Sequence, residues 1–300
     1  MAPDYASLEH YVNGRWCREA DATVSILDHG LLYGDGVFDT LFAMHGYVFK
    51  LQEHLQRLEW SARAIGIDIG LSREELTGLV LEAAARNRLR DAYIRVVLTR
   101  GMTGEPLLDP RGAVRTLIIL VRPYLYLSSP EKIEQGLSAK TVTVRRVGSQ
   151  ALDPRIKSNN YLSIILAKME ATAAGCDAGL ILDDQGRVCE GPGYNVFLVR
   201  DGTVITPRES ALAGITRATV FELCDELGIP WREDGLWPYD CLVASEAFLT
   251  STAGGIMPLT SVDGRPVGEG RPGPVVRRLR DAYEEMIRAG RHGTPIPLGA

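Results

Sequence analysis

The chain has 300 residues, 45% hydrophobic and 24% charged, which suits one large globular domain or two modest ones with ample core. Its formal net charge of −5 argues against a surface for nucleic acid or another polyanion. No apolar run approaches the roughly 20 residues of a membrane helix, and the start Met1-Ala2-Pro3-Asp4-Tyr5 lacks the basic and apolar stretches of a signal peptide, so a cytoplasmic protein is expected.

In chain order, Tyr11–Cys17, Thr23–Leu27, Val37–Met44 and Tyr47–Leu51 read as strands, with His45-Gly46 turning the last two into a hairpin. Leu55, Leu58, Ala62 and Ile65 fall at helical spacing and predict a helix over Glu53–Ile65. A second helix starts at Ser72, where Ser72-Arg73-Glu74-Glu75 fits a capping box. Tyr93–Thr99 and Thr116–Tyr126 are strand-like, and the Gly- and Pro-containing stretch Gly101–Gly112 between them is long enough to line a site. The polar stretch Leu127–Gln135, with its Ser-Ser-Pro turn, is expected to link a small N-terminal α/β domain (1–126) to a larger C-terminal one (136–300).

Beyond it come a strand Leu137–Arg146 and a helix from Ser158 to Ala174, with Leu162, Ile165, Leu166 and Met169 on one face. Hairpins Gly179–Cys189 and Val196–Thr206 follow, turning at Gln185-Gly186 and Asp201-Gly202. A helix Thr216–Leu227, a strand Glu246–Thr250 and a helix Pro274–Ala289 complete the pattern, and the tail from Gly290 is expected to be loose. Helices amid hairpin and mixed strands define an α/β (α+β) class and not a strict parallel series. Cys17, Cys176, Cys189, Cys224 and Cys241 show no CxxC spacing and read as free thiols, and the five histidines form no HExxH-like pair, so no metal site is expected.

The residues that carry chemistry centre on Lys157, in Arg155-Ile156-Lys157-Ser158-Asn159-Asn160-Tyr161-Leu162, read as the junction of a strand and a helix. Downstream, Glu190 opens the tight turn Glu190-Gly191-Pro192-Gly193-Tyr194-Asn195. A lysine at an element boundary and a carboxylate on a separate hairpin suit pyridoxal phosphate, whose aldehyde needs an amine and whose pyridine nitrogen needs an acid to keep its proton. Tyr161, four residues past the lysine, is placed to reach the O3′ region of the ring. Three segments offer donors to a phosphate. Arg57 has a fixed guanidinium fork, Gly214-Ile215-Thr216 precedes a helix, and Ser251 and Thr252 lie in a hydroxyl-rich turn. Neither GxxxxGK[ST] nor GxGxxG is present, which counts against a nucleotide.

Together with Tyr33-Gly34-Asp35-Gly36-Val37-Phe38, Tyr93-Ile94-Arg95 and Ser251-Thr252-Ala253, these segments resemble the class IV, fold-type IV pyridoxal-phosphate aminotransferases over nearly the whole chain, most of all the branched-chain amino acid aminotransferases. The resemblance implies a two-domain fold in which Lys157 binds the cofactor aldehyde, Glu190 partners the pyridine nitrogen and Arg57 binds the phosphate with Ile215, Thr216 and Thr252. It places Phe38, Thr40, Tyr93, Arg95, Thr252 and Ala253 around the substrate, with Tyr93 and Arg95 on its carboxylate. The implied activity moves an amino group between a branched-chain-type L-amino acid and a 2-oxo acid such as 2-oxoglutarate, in a homodimer or larger homo-oligomer. Branched-chain enzymes usually read Phe-Glu-Gly-Ile-Arg where this chain has Phe38-Asp39-Thr40-Leu41-Phe42. That change in the pocket wall keeps D-amino acid or (R)-amine transamination and aminodeoxychorismate lyase activity as alternatives.

Overall fold

A computed structural model of the chain describes residues 5–299; residues 1–4, on which the signal-peptide expectation rests, lie outside the described residues. The described chain divides into two compact units, each built on its own sheet. The first takes the chain through Leu125, the short segment Ile156–Asn160, and the chain from Ile287 onward. The second takes Tyr126–Arg155 and Tyr161–Met286. The first crossing falls one residue before the expected edge at 126, but the chain then returns twice to the first unit, so residues 136–300 are not one continuous domain. Nor is 127–135 a plain linker, because Pro130–Gln135 is helical and capped by the Ser129 side chain.

The first unit contains β1 (Glu9–Val12), β2 (Arg15–Arg18), α1 (His29–Tyr33), β3 (Gly36–Met44), β4 (Tyr47–Phe49), α2 (Leu51–Ala64), α3 (Arg73–Arg86), β5 (Ala92–Met102) and β6 (Val114–Pro123). With the C-terminal strand Gly293–Pro295 they form an antiparallel sheet, in the order C-terminal strand, β4, β3, β5, β6, β1, β2. In the β3–β5 register Phe38 faces Val97, Thr40 faces Arg95 and Phe42 faces Tyr93. Alternation therefore puts Phe38, Thr40, Phe42, Tyr93 and Arg95 on one side of the sheet. The opposite side carries Val37, Leu41, Ile94, Val96 and Leu98, which pack with Leu51, Leu55, Leu58 and Ala62 of α2 and Leu76, Val80, Ala83 and Ala84 of α3. The Ser72 capping box forms, with both reciprocal hydrogen bonds to Glu75.

Three expectations fail in this unit. Tyr11–Cys17 is not one strand, because Asn13 and Gly14 both take positive φ (+47° and +86°) and turn the chain between β1 and β2. Thr23–Leu27 forms no strand, and among the described residues no strand pairs with it. The tail is not loose, because Gly293–Pro295 pairs with β4 and buries Ile296.

The second unit contains α4 (Pro130–Gln135), β7 (Leu137–Arg145), α5 (Leu162–Ala173), β8 (Ala178–Leu182), β9 (Val188–Gly191), β10 (Tyr194–Arg200), β11 (Thr203–Pro207) and α6 (Ile215–Leu227). It continues with β12 (Trp231–Asp234), α7 (Pro238–Val243), β13 (Glu246–Ser251), β14 (Gly255–Val262), β15 (Arg265–Pro266) and all but the last two residues of α8 (Pro274–Arg288). The run β10, β13, β14, β7, β8, β9 closes on itself, because β9 pairs with both β8 and β10. Two of its joints, β14–β7 and β7–β8, are parallel. Closure removes free edges and fixes β9, the strand that carries Glu190, on both sides.

The helix expected from Ser158 begins only at Leu162. Between β7 and α5 the chain has no regular element. Asp153 Oδ1 accepts the Arg155 N–H at 2.9 Å in a turn around Pro154, and residues 157–159 pair instead with β3. Lys157 therefore sits in a loop and not at a strand–helix junction, and Tyr161 is not one helical turn away from it.

Candidate active site

In the first unit the lysine segment lies alongside the start of β3. Phe38 N–H donates to the Lys157 carbonyl and Asn159 N–H to the Gly36 carbonyl, each at 2.9 Å, while Lys157 N–H donates to Ser61 Oγ of α2 at 3.1 Å. A Cβ on Gly36 would stand 2.7 Å from Asn159 Nδ2 and 2.8 Å from the Leu98 carbonyl, so only glycine permits this approach. The Lys157 ammonium lies 4.7 Å from the centre of the Phe38 ring, and the Arg95 guanidinium lies 3.8 Å from the same centre. Two cations thus share one aromatic ring. Among the described residues Arg95 has no hydrogen-bond or ion-pair partner, although it is half-buried. Thr40 and Tyr93, also half-buried, flank it on the same side of the sheet. The Gly101–Gly112 loop belongs to this unit, where the Tyr33 hydroxyl donates to the Pro106 carbonyl at 2.8 Å.

On the other side of β3, Asp39 is fully buried and gathers four donors. Its Oδ2 accepts from Arg57 Nε at 2.7 Å, and its Oδ1 accepts from Arg57 Nη2 at 2.8 Å, from Thr40 N–H at 2.8 Å and from His54 Nδ1 at 2.7 Å. Burial by itself would raise the Asp39 pKa, but Arg57 and His54 outweigh it and hold the carboxyl well below the usual carboxylate range. Burial lowers the pKa of His54; Asp39 opposes that, while Arg57 and Lys157 reinforce it. A neutral imidazole beside an ionised carboxylate carries its proton on Nδ1, so the 3.5 Å approach of Arg57 Nη2 to that nitrogen is not a hydrogen bond. Arg57 is 6% exposed, and its fork is fixed by both oxygens of one acid.

In the second unit Glu190 is 6% exposed and lies opposite Asn195 in the β9–β10 register. Its Oε1 stands 2.9 Å from Arg146 Nε, an ion pair that meets the distance but not the direction of a hydrogen bond. Its Oε2 accepts the Leu212 N–H at 2.9 Å, and Asn195 Nδ2 donates to the Leu212 carbonyl, also at 2.9 Å. Both polar groups of Leu212 are thus held by the Glu190–Asn195 turn, just before Gly214 opens α6. A Cβ on Gly214 would fall 2.0 Å from Asn195 Oδ1, so this join also depends on glycine. Helix α6 has no side-chain cap, which leaves its first amides, at Ile215 and buried Thr216, suited to an anion. In the β13–β14 turn Ser251 Oγ accepts the Gly254 N–H at 3.0 Å, Thr252 is half-buried, Ala253 is buried, and the buried Thr250 hydroxyl has no partner among the described residues. Tyr161 is the N-cap residue of α5 and packs against the Val142, Ile164, Ala167 and Ile181 cluster.

Sequence reasoning alone does not select Asp39, His54 or Arg146. His54 and Arg57 stand three residues apart on α2, a spacing that puts them on one face, and this is the available signal for a shared partner. Arg146 carries none, because its acid lies 44 positions away.

Taken unit by unit, the first offers a fixed guanidinium and a lysine beside β3, groups whose chemistry suits a phosphate and an aldehyde, and the second an uncapped helix start and a buried carboxylate beside arginine, which suit a phosphate and a ring nitrogen. The chain is a pyridoxal-phosphate-dependent aminotransferase. Residues 36–262 match the family model for amino-transferase class IV, and the chain belongs to that family. A Methanocaldococcus jannaschii relative is 43% identical over 279 residues, 92% of this chain and 95% of its own. The branched-chain-amino-acid aminotransferase of Escherichia coli K12 is 36% identical over 280 residues, 91% of each chain. A solved branched-chain amino acid aminotransferase from T.th., with pyridoxamine 5'-phosphate, superposes with a TM-score of 0.92 at 30% identity, covering 96% of this chain and 98% of that one. Among the described residues no helix is long and apolar enough to cross a membrane, and no group of metal-ligating side chains is found.

Proposed function

We propose that the chain transfers the amino group of a branched-chain-type L-amino acid to a 2-oxo acid such as 2-oxoglutarate. In this reading Lys157 holds the cofactor aldehyde and Arg57 its phosphate, together with the α6 amides of Ile215 and Thr216 and the hydroxyls of Ser251 and Thr252. Glu190 faces the pyridine nitrogen, and Tyr161 faces O3′. When bound, pyridoxal phosphate supplies an electron sink for the pair released as the substrate Cα–H bond breaks. The Lys157 amine would take the substrate Cα proton and return it during transfer. Glu190 keeps the ring nitrogen protonated, and Arg57 anchors the phosphate so that the ring does not shift between the two half-reactions.

The single observation that carries the substrate side is Arg95. It is a half-buried guanidinium with no anionic partner among the described residues, over the Phe38 ring and on the same face of the sheet as Tyr93, and it suits a substrate carboxylate. Phe38, Thr40, Phe42 and Ala253 supply the apolar remainder, and Thr252 a hydroxyl. Thr40, opposite Arg95 in register, favours a broadened pocket as a second reading, in which D-amino acids or (R)-amines also react.

The homodimer expectation gains support from α5, where Leu162, Ile165, Leu166 and Met169 form a stripe that stays 71%, 53%, 45% and 61% exposed. A second copy is the proposed cover. The five cysteines, all free thiols, support a reducing cytoplasm. A half-reaction panel with L-leucine, L-glutamate, D-alanine and (R)-phenylethylamine tests the reading. L-leucine and L-glutamate should bleach the cofactor band fastest, while bleaching by D-alanine alone would reject the stereochemistry.

A further inference from the structure

We propose that Arg146 keeps Glu190 ionised and, through it, sets the charge of the cofactor ring. The inference rests in its second half on the assignment of Glu190 to the pyridine nitrogen. A carboxyl group this far from water goes neutral unless a charge or hydrogen-bond donors offset its desolvation. Glu190 has both, with the Leu212 N–H on one oxygen and the Arg146 guanidinium 2.9 Å from the other. Arg146 is well placed for the task. Its own N–H donates to the Leu182 carbonyl at 2.9 Å, which fixes where the side chain leaves the end of β7, and that side chain is only 13% exposed. A guanidinium does not shed its proton when desolvated, whereas a lysine in the same place could.

The neighbouring thiol and phenol add no competing charge. Burial pushes the thiol of Cys189, next in the chain, up to about 12, and also raises the Tyr194 phenol on β10, so both are neutral. On the β8 side, Asp183 is already paired with Arg187 at 2.8 Å. A neutral Glu190 could donate a hydrogen bond to a pyridine nitrogen but could not hold a full positive charge there. Arg146 is accordingly a positioning residue that acts through Glu190.

The test is carried out on the holoenzyme with ¹³C-carboxyl-labelled glutamate, the Glu190 resonance being assigned by its loss in Glu190→Gln. At neutral pH the wild type should show an ionised Glu190, and Arg146→Met a protonated one, with the visible band of the cofactor shifted and kcat lowered on the order of 10-fold or more at similar KM. Arg146→Lys should restore the ionised carboxylate at neutral pH, with its titration moved upward. Glu190 still ionised in Arg146→Met would overturn the proposal. Should Arg146→Met not fold, an Arg146→Lys titration identical to wild type would overturn it equally. A protonated Glu190 with an unmoved cofactor band would uphold the role of Arg146 and instead remove Glu190 from the ring nitrogen.

Discussion

Each compact unit buries an acid against an arginine, and the two pairs work in opposite senses. In the first, Asp39 commits both oxygens to Arg57 and takes further donors from His54 and Thr40, so the acid serves to hold the arginine. In the second, Arg146 meets Glu190 by charge while the Leu212 amide takes the other oxygen, so the arginine serves to hold the acid. The same two functional groups produce a fixed cation in one place and a fixed anion in the other. The donors around the acid decide which. A carboxylate saturated with donors has nothing left to offer a ligand, and its arginine partner becomes the functional group.

Five substitutions probe the two pairs and their surroundings. Glu190→Gln keeps the shape but not the charge, and should lower kcat by about 10²- to 10⁴-fold with the fold intact, read in single-turnover half-reactions. Arg57→Ala should act on cofactor binding instead, weakening it by about 100-fold, because a charge-assisted phosphate contact is lost. A rate loss without an affinity loss in Arg57→Ala would dissolve the contrast. Asp39→Asn leaves Arg57 buried without its counter-charge and should cost about 3–5 kcal/mol of stability in denaturant melts. Asp39→Glu, the residue of the branched-chain pattern, should recover most of that. At the weak end, Thr40→Gly should shift KM among amino donors by only a few-fold and lower stability by about 1 kcal/mol through strand entropy.

The pH dependence of stability provides a finer probe of the first pair. His54 stays neutral in the folded protein because burial, Arg57 and Lys157 lower its pKa from 6.5 against the pull of Asp39. The unfolded chain therefore binds a proton near pH 6.5 that the folded chain refuses, and stability should fall as the pH drops below that value. Asp39 has the opposite history: its depressed pKa adds stability above the ordinary carboxylate range, and that contribution is lost only in strong acid. His54→Gln should flatten the unfolding midpoint between about pH 7 and pH 5. Some slope should remain from His10, whose pKa is lowered by burial and by Arg122. An unchanged slope would mean that His54 is protonated in the native state.

Much of the site is legible in the sequence wherever a functional residue sits beside its own punctuation. Glu190 opens a Gly-Pro-Gly turn, Thr216 follows a glycine at a helix start, and Ser72 announces α3 with a complete capping box. The lysine is legible by its neighbours but not in its setting, because the bonds that fix residues 157–159 go to β3 and to Ser61 of α2, 96 or more positions away. Asp39 and Arg146 are silent for the same reason, since each acquires its meaning from a partner that local periodicity cannot supply. Helix α5 shows the limit of periodicity itself. Leu162, Ile165, Leu166 and Met169 have the spacing of a buried face, yet the small residues Ala167 and Ala171, with Ile164, face the sheet and the larger ones face outward. A 3.6-residue period reports that a face is meant to be covered and does not say whether its own chain covers it. Charged residues at Leu162 and Leu166 should accordingly shift the sedimentation of the protein toward the single chain without unfolding it.

The claim on which the rest depends is that one lysine holds the cofactor. The chain has only five, of which Lys50 is buried and Lys157 half-buried, so the choice can be made experimentally. Borohydride reduction of the holoenzyme, digestion and mass spectrometry should place the pyridoxyl adduct on the peptide containing Lys157 in near-stoichiometric yield. An adduct on Lys50, Lys132, Lys140 or Lys168, or none at all, would contradict it.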